Sequence, residues 1–330
     1  MKIGLKLPGA DVASPLCRQL VQRAEALGLD SVWVGESYGR DAVSALGYLA
    51  ATTSSIGLGS AVLQIDARTP AMTAMAAASL DEMSGGRLRL GLGVSGPQVV
   101  EGWHGVPFER PLARTREYVT LVRAILAREA AVRYDGEFFQ LPRRGAGTSG
   151  LGKPLRLGFA PVRPAVPVLL AAIGPRNVAL AAEIADGWMP IFFAPRHSAT
   201  LAAGIPAGFE VVTGTVVASG ASLAQARERV RPRLAHYIGA MGAPGRNFYF
   251  DLVCRYGYTD AADRVLRLFQ HGERAAAVAA VPDDLVDQTM LVGPPGHLRE
   301  QLAQWQASAV STLLLSVSEP DDLDLICSLL

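Results

Sequence analysis

The chain has 330 residues, half of them hydrophobic, and a formal net charge of +1. That is apolar material for one large core or two ordinary ones, and too balanced a charge to recruit nucleic acid or an anionic membrane. Cys17, Cys254 and Cys327 lie too far apart for a disulfide framework or a CxxC metal site, and the five histidines show no ligand spacing, so no metal is expected.

In chain order, residues 3–7 predict a strand with none of the length of a signal-peptide core, which implies a cytosolic protein. Residues 16–27 predict a helix, with Leu16, Leu20, Ala24 and Leu27 on one face and Gly28 as its stop. Strands follow at 31–35, 56–62 and 88–92, separated by helices at 42–54 and 70–83, the latter opened by Pro70. A long amphipathic helix is expected at 112–128. The rhythm then breaks: Asp135-Gly136 between short apolar runs predicts a hairpin within 132–141, followed by a Gly-rich loop. Strands resume at 168–172, 187–191, 211–217 and 312–317, with helices at 176–185, 223–237, 295–307 and 323–330. Residues 240–290 read as extra helical material. Eight strands alternating with helices predict one (β/α)8 barrel with insertions spanning 1–330; a doubly wound open sheet is the other reading. No run near 18 apolar residues predicts a membrane span.

In such a barrel, ligands bind at the carboxyl ends of the strands. Polar residues gather there: Glu36, Ser37, Tyr38 and Arg40 after the second strand, and Gln64, Asp66 and Arg68 after the third. Ser95, Gly96, Gln98, Glu101, Trp103 and His104 follow the fourth, and Gly174, Pro175, Arg176 and Asn177 the fifth. Gly174 turns the chain into a helix opened by Pro175, so free amides and the positive end of the helix dipole suit a phosphate; a good helix-starting turn explains the same residues. Only Lys2, Lys6 and Lys153 are lysines, a bias that reads as codon usage rather than a binding patch. No nucleophile elbow or Walker loop is present, and Gly91 to Gly96 is a weak dinucleotide signal.

Several stretches resemble the bacterial luciferase-like monooxygenase superfamily, within it the actinobacterial class of oxidoreductases that use the deazaflavin coenzyme F-420. They include "LGLDSVWVGESYG", "LDEMSGGRLRLGLGVSGPQVVEGWHGVPF", "YDGEFFQLP", "AAIGPRNVALAAEIADGW", "GRNFYFDLVCRYGY" and "LVGPP". The resemblance implies a TIM barrel, commonly a homodimer, with the coenzyme ring deep at the carboxyl face. Its phosphate would lie near Gly174, Pro175, Arg176 and Asn177. A non-proline cis peptide between Ala61 and Val62 would back the ring, with Gln64, Ser95 and Gly96 beside it.

The resemblance is imperfect. Where sugar-phosphate and alcohol dehydrogenases of the class carry an Asp-His or similar pair after the second strand, this chain has Glu36-Ser37. Where they carry a Glu after the fourth, it has Ser95-Gly96-Pro97. Those substrates are therefore not expected. The implied activity is hydride transfer between C5 of the deazaflavin and a small C=C, C=N or carbonyl substrate. His104 is the candidate proton-transfer group and Glu36 the alternative, with Gln98 as a hydrogen-bond donor and Trp103 as an apolar wall. A purely structural role of Trp103 and His104, pinning their loop to the following helix, is the competing reading. The functional alternatives are an FMN-dependent monooxygenase, separable by oxygen consumption, and a coenzyme-binding barrel without turnover.

Overall fold

The structure is a computed structural model that describes residues 1–330 apart from positions 8, 10, 164, 243 and 244. Its strands are β1 (Lys2–Lys6), β2 (Ser31–Val34), β3 (Gly57–Ser60), β4 (Leu63–Gln64), β5 (Leu88–Gly93), the hairpin β6 (Tyr134–Asp135) and β7 (Gln140–Leu141), then β8 (Val168–Ala171), β9 (Gly187–Met189), β10 (Glu210–Ser219), β11 (Leu291–Gly293) and β12 (Thr312–Ser316). The order β10-β12-β1-β2-β3-β5-β8-β9 closes because β9 also pairs with β10, and every pairing is parallel. This is a (β/α)8 TIM barrel, not an open sheet. Helices cover its outside, so the strands are buried on both faces and read as nearly continuous apolar runs.

The barrel interior is filled by alternating large and small residues. Trp33, Leu169, Met189, Val212 and Leu314 form a buried plug. Glycines face the bulky members: a Cβ at Gly59 would lie 2.2 Å from Trp33 Cε3, and one at Gly4 2.7 Å from Leu314 Cδ2. The indole of Trp33 donates to Ser31 Oγ at 2.8 Å, so its polar edge is satisfied while its rings fill the axis.

The third barrel strand is not the continuous run expected at 56–62. It breaks between β3 and β4 at Ala61 and Val62, whose peptide bond is cis as the resemblance implied. The amide of Ala61 donates back to Val34 O at 2.6 Å, and β4 pairs with β5 alone. The hairpin also differs from a two-residue Asp-Gly turn. Its loop runs from Gly136 to Phe139, because Glu117 on the preceding helix accepts the amides of Glu137, Phe138 and Phe139.

The helices that frame the carboxyl face are α1 (Pro15–Ala26), α2 (Ala42–Thr52), α3 (Pro70–Met83), α4 (Pro97–Gly102), α5 (Pro111–Ala127) and α6 (Pro175–Ile184), followed by α7 (Ser198–Leu201) and α8 (Leu223–Ala240). The short α4 falls in a segment read as loop from sequence. The insertion contains α9 (Phe248–Arg255), α10 (Thr259–Gln270), α11 (Arg274–Ala279) and α12 (Asp283–Thr289); positions 243 and 244 within it lie outside the described residues. Its helices pack with α8 around a second apolar cluster that includes Leu234, Leu252, Val265 and Leu285. α13 (Pro295–Gln306) and α14 (Pro320–Leu329) complete the outer layer. Among the described residues no helix is long and apolar enough to cross a membrane.

Candidate active site

A cavity of about 820 Å³ opens at the carboxyl ends of the strands, within the size range of small-molecule sites. Glu36, Ala61, Val62, Gln64, Ser95, Gly96, Gly174, Pro175, Arg176 and Asn177 all line it, so the residues singled out from sequence after four different strands meet in one space.

Its floor is backbone. The bulge at Ala61 and Val62 projects between β2 and β5 because the neighbouring strands carry glycine there. A Cβ at Gly35 would meet Ala61 O at 2.3 Å, and one at Gly93 would meet Val62 Cγ2 at 2.7 Å. At the rim, Ser95 holds φ +62°, a left-handed conformation that is uncommon without glycine, and Phe192 holds φ +48°. Both line the cavity, where such outliers tend to gather.

The opposite wall is the start of α6. α1, α2 and α3 are capped by the side chains of Ser14, Asp41 and Thr69, but α6 begins at Gly174 with no side-chain cap. A Cβ at Gly174 would meet nothing within 4 Å, so the space before the helix is open. Asn177 Nδ2 reaches back to Ala171 O at 3.4 Å, and Arg176 forms no ion pair among the described residues. An uncapped N-terminus beside a free guanidinium favours an anion.

Glu36 is on the cavity wall but its carboxylate is fully occupied. It accepts from Arg68 Nη1 at 2.5 Å and Nη2 at 3.0 Å, from the amide of Gln64 at 3.0 Å and from that of Ala42 at 3.3 Å. Arg68 also pairs with Asp41, and Tyr118 donates to Arg68 O at 3.1 Å. Burial raises the Tyr118 phenol to about 12, so it stays a donor. Glu36 therefore ties β2 to the residue that follows the bulge. The four hydrogen bonds occupy both carboxylate oxygens of the residue expected as the alternative proton-transfer group.

His104 is also displaced from its expected place. It does not line the cavity but sits behind it, its Nε2 3.4 Å from Gln64 Oε1. Gln64 Nε2 in turn donates to Ser37 O at 2.6 Å. Trp103 is 67% exposed and stands off the cavity altogether. The reason is α4, which buries Pro97 and Val100 and carries the residues after Val100 outward. The wall expected from Trp103 is supplied instead by Phe192, Tyr237 and Tyr249, whose rings pack edge to face at 4.7–6.3 Å.

Sequence reasoning missed those rings, together with Lys6 and Arg233, all of which line the cavity. Lys6 had a signal: it is one of three lysines, set at the end of an otherwise apolar strand. Burial, aided by the nearby charge of Arg233, pushes its ammonium down to about 8. Among the described residues, no group of three or more His, Cys, Asp or Glu gathers as a metal site.

The site is thus a cavity in a closed parallel barrel, with a bulged backbone floor and an anion-favouring helix start. Residues 13–312 match the luciferase-like monooxygenase family, and the chain belongs to it. It is 42% identical to a Mycobacterium tuberculosis protein named "Putative coenzyme F420-dependent oxidoreductase Rv3520c", over 97% of this chain and 96% of that one. It is 29% identical to a 5,10-methylenetetrahydromethanopterin reductase of Archaeoglobus fulgidus, over 89% and 87% of the two chains. The coenzyme F420 dependent tetrahydromethanopterin reductase of Methanopyrus kandleri shares the fold, with a TM-score of 0.76, 20% identity and coverage of 99% and 97%.

Proposed function

We propose that the protein, as one catalytic unit over residues 1–330, is an F-420-dependent oxidoreductase acting on a small organic substrate. The observation that carries this reading is the pairing, across one cavity, of the Ala61–Val62 bulge with the uncapped start of α6 and with Arg176, which forms no ion pair among the described residues. That geometry fits a flat ring at one end and an anionic tail at the other. The 42% identity to a protein named for this coenzyme supports it. When bound, the coenzyme supplies hydride transfer at C5 of its deazaflavin.

The chain's own residues do the rest. The backbone of Ala61 and Val62 supports the ring, and the small side chain of Ser95 and the absence of one at Gly96 leave room along its edge. Gln64 and Gln98 offer hydrogen bonds, and His104 acts as a positioning residue that orients Gln64. Arg176, Asn177 and the amides near Gly174 hold the phosphate. Phe192, Tyr237 and Tyr249 exclude water from the substrate side. The protein is further read as a cytosolic homodimer. Its cysteines are free thiols, and Met72, Met75 and Met83 on α3 are about half exposed, an apolar surface suited to a second copy.

Absorbance titration with F-420 and with FMN tests the reading. F-420 should bind at least tenfold more tightly, and R176A combined with N177A should weaken it by tenfold or more. Preferential FMN binding with oxygen consumption would establish the monooxygenase alternative. Binding of neither would leave a barrel without this chemistry.

A further inference from the structure

Two cations in the cavity are left over by the coenzyme reading. Lys6 ends β1, and its stem reaches past β12 to lie over Gly214 of β10: a Cβ at Gly214 would come within 3.4 Å of Lys6 Cδ and 3.9 Å of Nζ. Arg233 stands on α8 with its guanidinium carbon 5.3 Å from the centre of the Tyr237 ring. Neither forms an ion pair among the described residues. Among the described residues the one acidic side chain on the cavity wall, Glu36, is already neutralised by Arg68.

Lys6 and Arg233 line the same cavity, and holding two like charges in one apolar enclosure without a counter-ion is unfavourable, consistent with burial and the Arg233 charge depressing the Lys6 ammonium. A ligand anion would relieve it. The barrel order places β1 four strands from β8 in either direction. The Lys6 ammonium reaches over β10, and Arg233 stands on the helix that follows β10, two strands from β8, whereas Arg176 opens the helix directly after β8, so the two cationic sites address different parts of the cavity wall. Around Arg233 the surroundings are the aromatic rings of Phe192, Tyr237 and Tyr249.

We propose that Lys6 and Arg233 form a carboxylate-binding subsite for the substrate, which is a carboxylic acid with an apolar body. The acid head sits between the two cations, and the body packs on the aromatic wall. One ammonium and one guanidinium suit a monoanion; the apolar enclosure disfavours a dianion such as a phosphate monoester. The inference rests on the coenzyme reading in one respect: it assigns this anion to the substrate and not to the acidic tail of F-420.

Calorimetric titration with 4-phenylbutanoate and its amide, on protein with and without F-420, tests it. The wild type should bind the acid at least tenfold more tightly than the amide in both states. K6M and R233Q should each reduce that ratio below threefold while F-420 affinity stays within twofold. Raising the pH from 7 to 9.5 should weaken acid binding several-fold in the wild type and not in K6M. The other titratable and charged groups on this wall are Arg233, Arg176, Glu36 and the phenols of Tyr38, Tyr237 and Tyr249, and burial moves the Tyr249 phenol further upward. All of these groups are present in both proteins, so the K6M comparison isolates Lys6. Each variant's melting temperature is recorded, and that of K6M should hold or rise because a desolvated charge is removed.

Equal binding of acid and amide, across chain lengths from phenylacetate to phenylhexanoate, would overturn the proposal. So would loss of the preference once F-420 is bound, or variants that weaken F-420 tenfold and leave the ratio unchanged; the anion would then be the coenzyme's. Failure of the wild type to bind F-420 would refute the coenzyme reading separately, since the acid preference is measured without it.

Discussion

Replacing Glu36 by Gln separates a scaffold from a proton-transfer group. The carboxylate accepts four hydrogen bonds, two from Arg68 and two from backbone amides. Its side chain is 7% exposed and that of Arg68 20%. Removing one partner of a buried pair typically costs about 3–5 kcal/mol. Here Arg68 keeps Asp41, and the amide oxygen of Gln still accepts from one side, but the new NH2 group must face a donor. The expected loss is therefore smaller, about 2–3 kcal/mol. For a chain of this size that is a fall in apparent melting temperature of roughly 3–4 °C. Because the Gln64 amide hangs on the same carboxylate, F-420 affinity should fall with it. Scanning calorimetry and a coenzyme titration read both. An unchanged melting temperature with turnover reduced a hundredfold or more would refute the scaffold argument and return Glu36 to the chemistry.

The remaining predictions are simpler. His104→Ala should lower turnover less than tenfold, whereas loss of a proton-transfer group costs about 10²–10⁴, so a deep loss with coenzyme affinity intact would contradict its position behind Gln64. Gly59→Ala should destabilise by about 1–3 kcal/mol or prevent folding, because the added methyl meets the Trp33 ring; normal stability in denaturant would show the barrel axis to be looser than described. Asp30 gives an acid signature. Burial alone would raise its carboxyl, but hydrogen bonds from Arg89 and Lys2, with the nearby Arg89 charge, hold it at about 2. Its contribution, about 2 kcal/mol by linkage, is full above pH 4 and lost as pH falls toward 2. Asp30→Asn should therefore be less stable than wild type at pH 7, and the gap should close in acid denaturation; a gap that persists at pH 2 would point to packing instead.

The barrel was legible because its signals are local and repeated. Apolar runs, prolines at helix starts such as Pro70 and Pro175, and stops such as Gly28 each mark one boundary, and eight repetitions leave little choice of topology. The site was half legible for the same reason: strand ends are where polar residues collect, and Gly174 to Asn177 announce a helix start. The position of Trp103 and His104 off the cavity lining was not legible, because their loop hides α4, six residues too short to show a period. Lys6, Arg233 and Tyr237 were invisible as a group because nothing in the sequence says that α8 folds over the mouth of β1. The pairing of Glu36 with Arg68 was equally hidden, since both stood as polar residues at the ends of different strands.

The length of β10 bears on how this chain can be cut or redesigned. Its first half belongs to the barrel, pairing with β9 and β12, while Val217, Ala218 and Ser219 run on beyond it to pair with β11 from the far end of the insertion. Excising the segment between α8 and α13 to obtain a minimal barrel would strip that partner away. The protruding end of β10 would then present a row of bare amides and carbonyls, the kind of edge that recruits other chains. Such a truncation is expected to aggregate even if every barrel residue is kept, so a shortened scaffold would need a substitute strand, or a charged or proline-blocked terminus on β10.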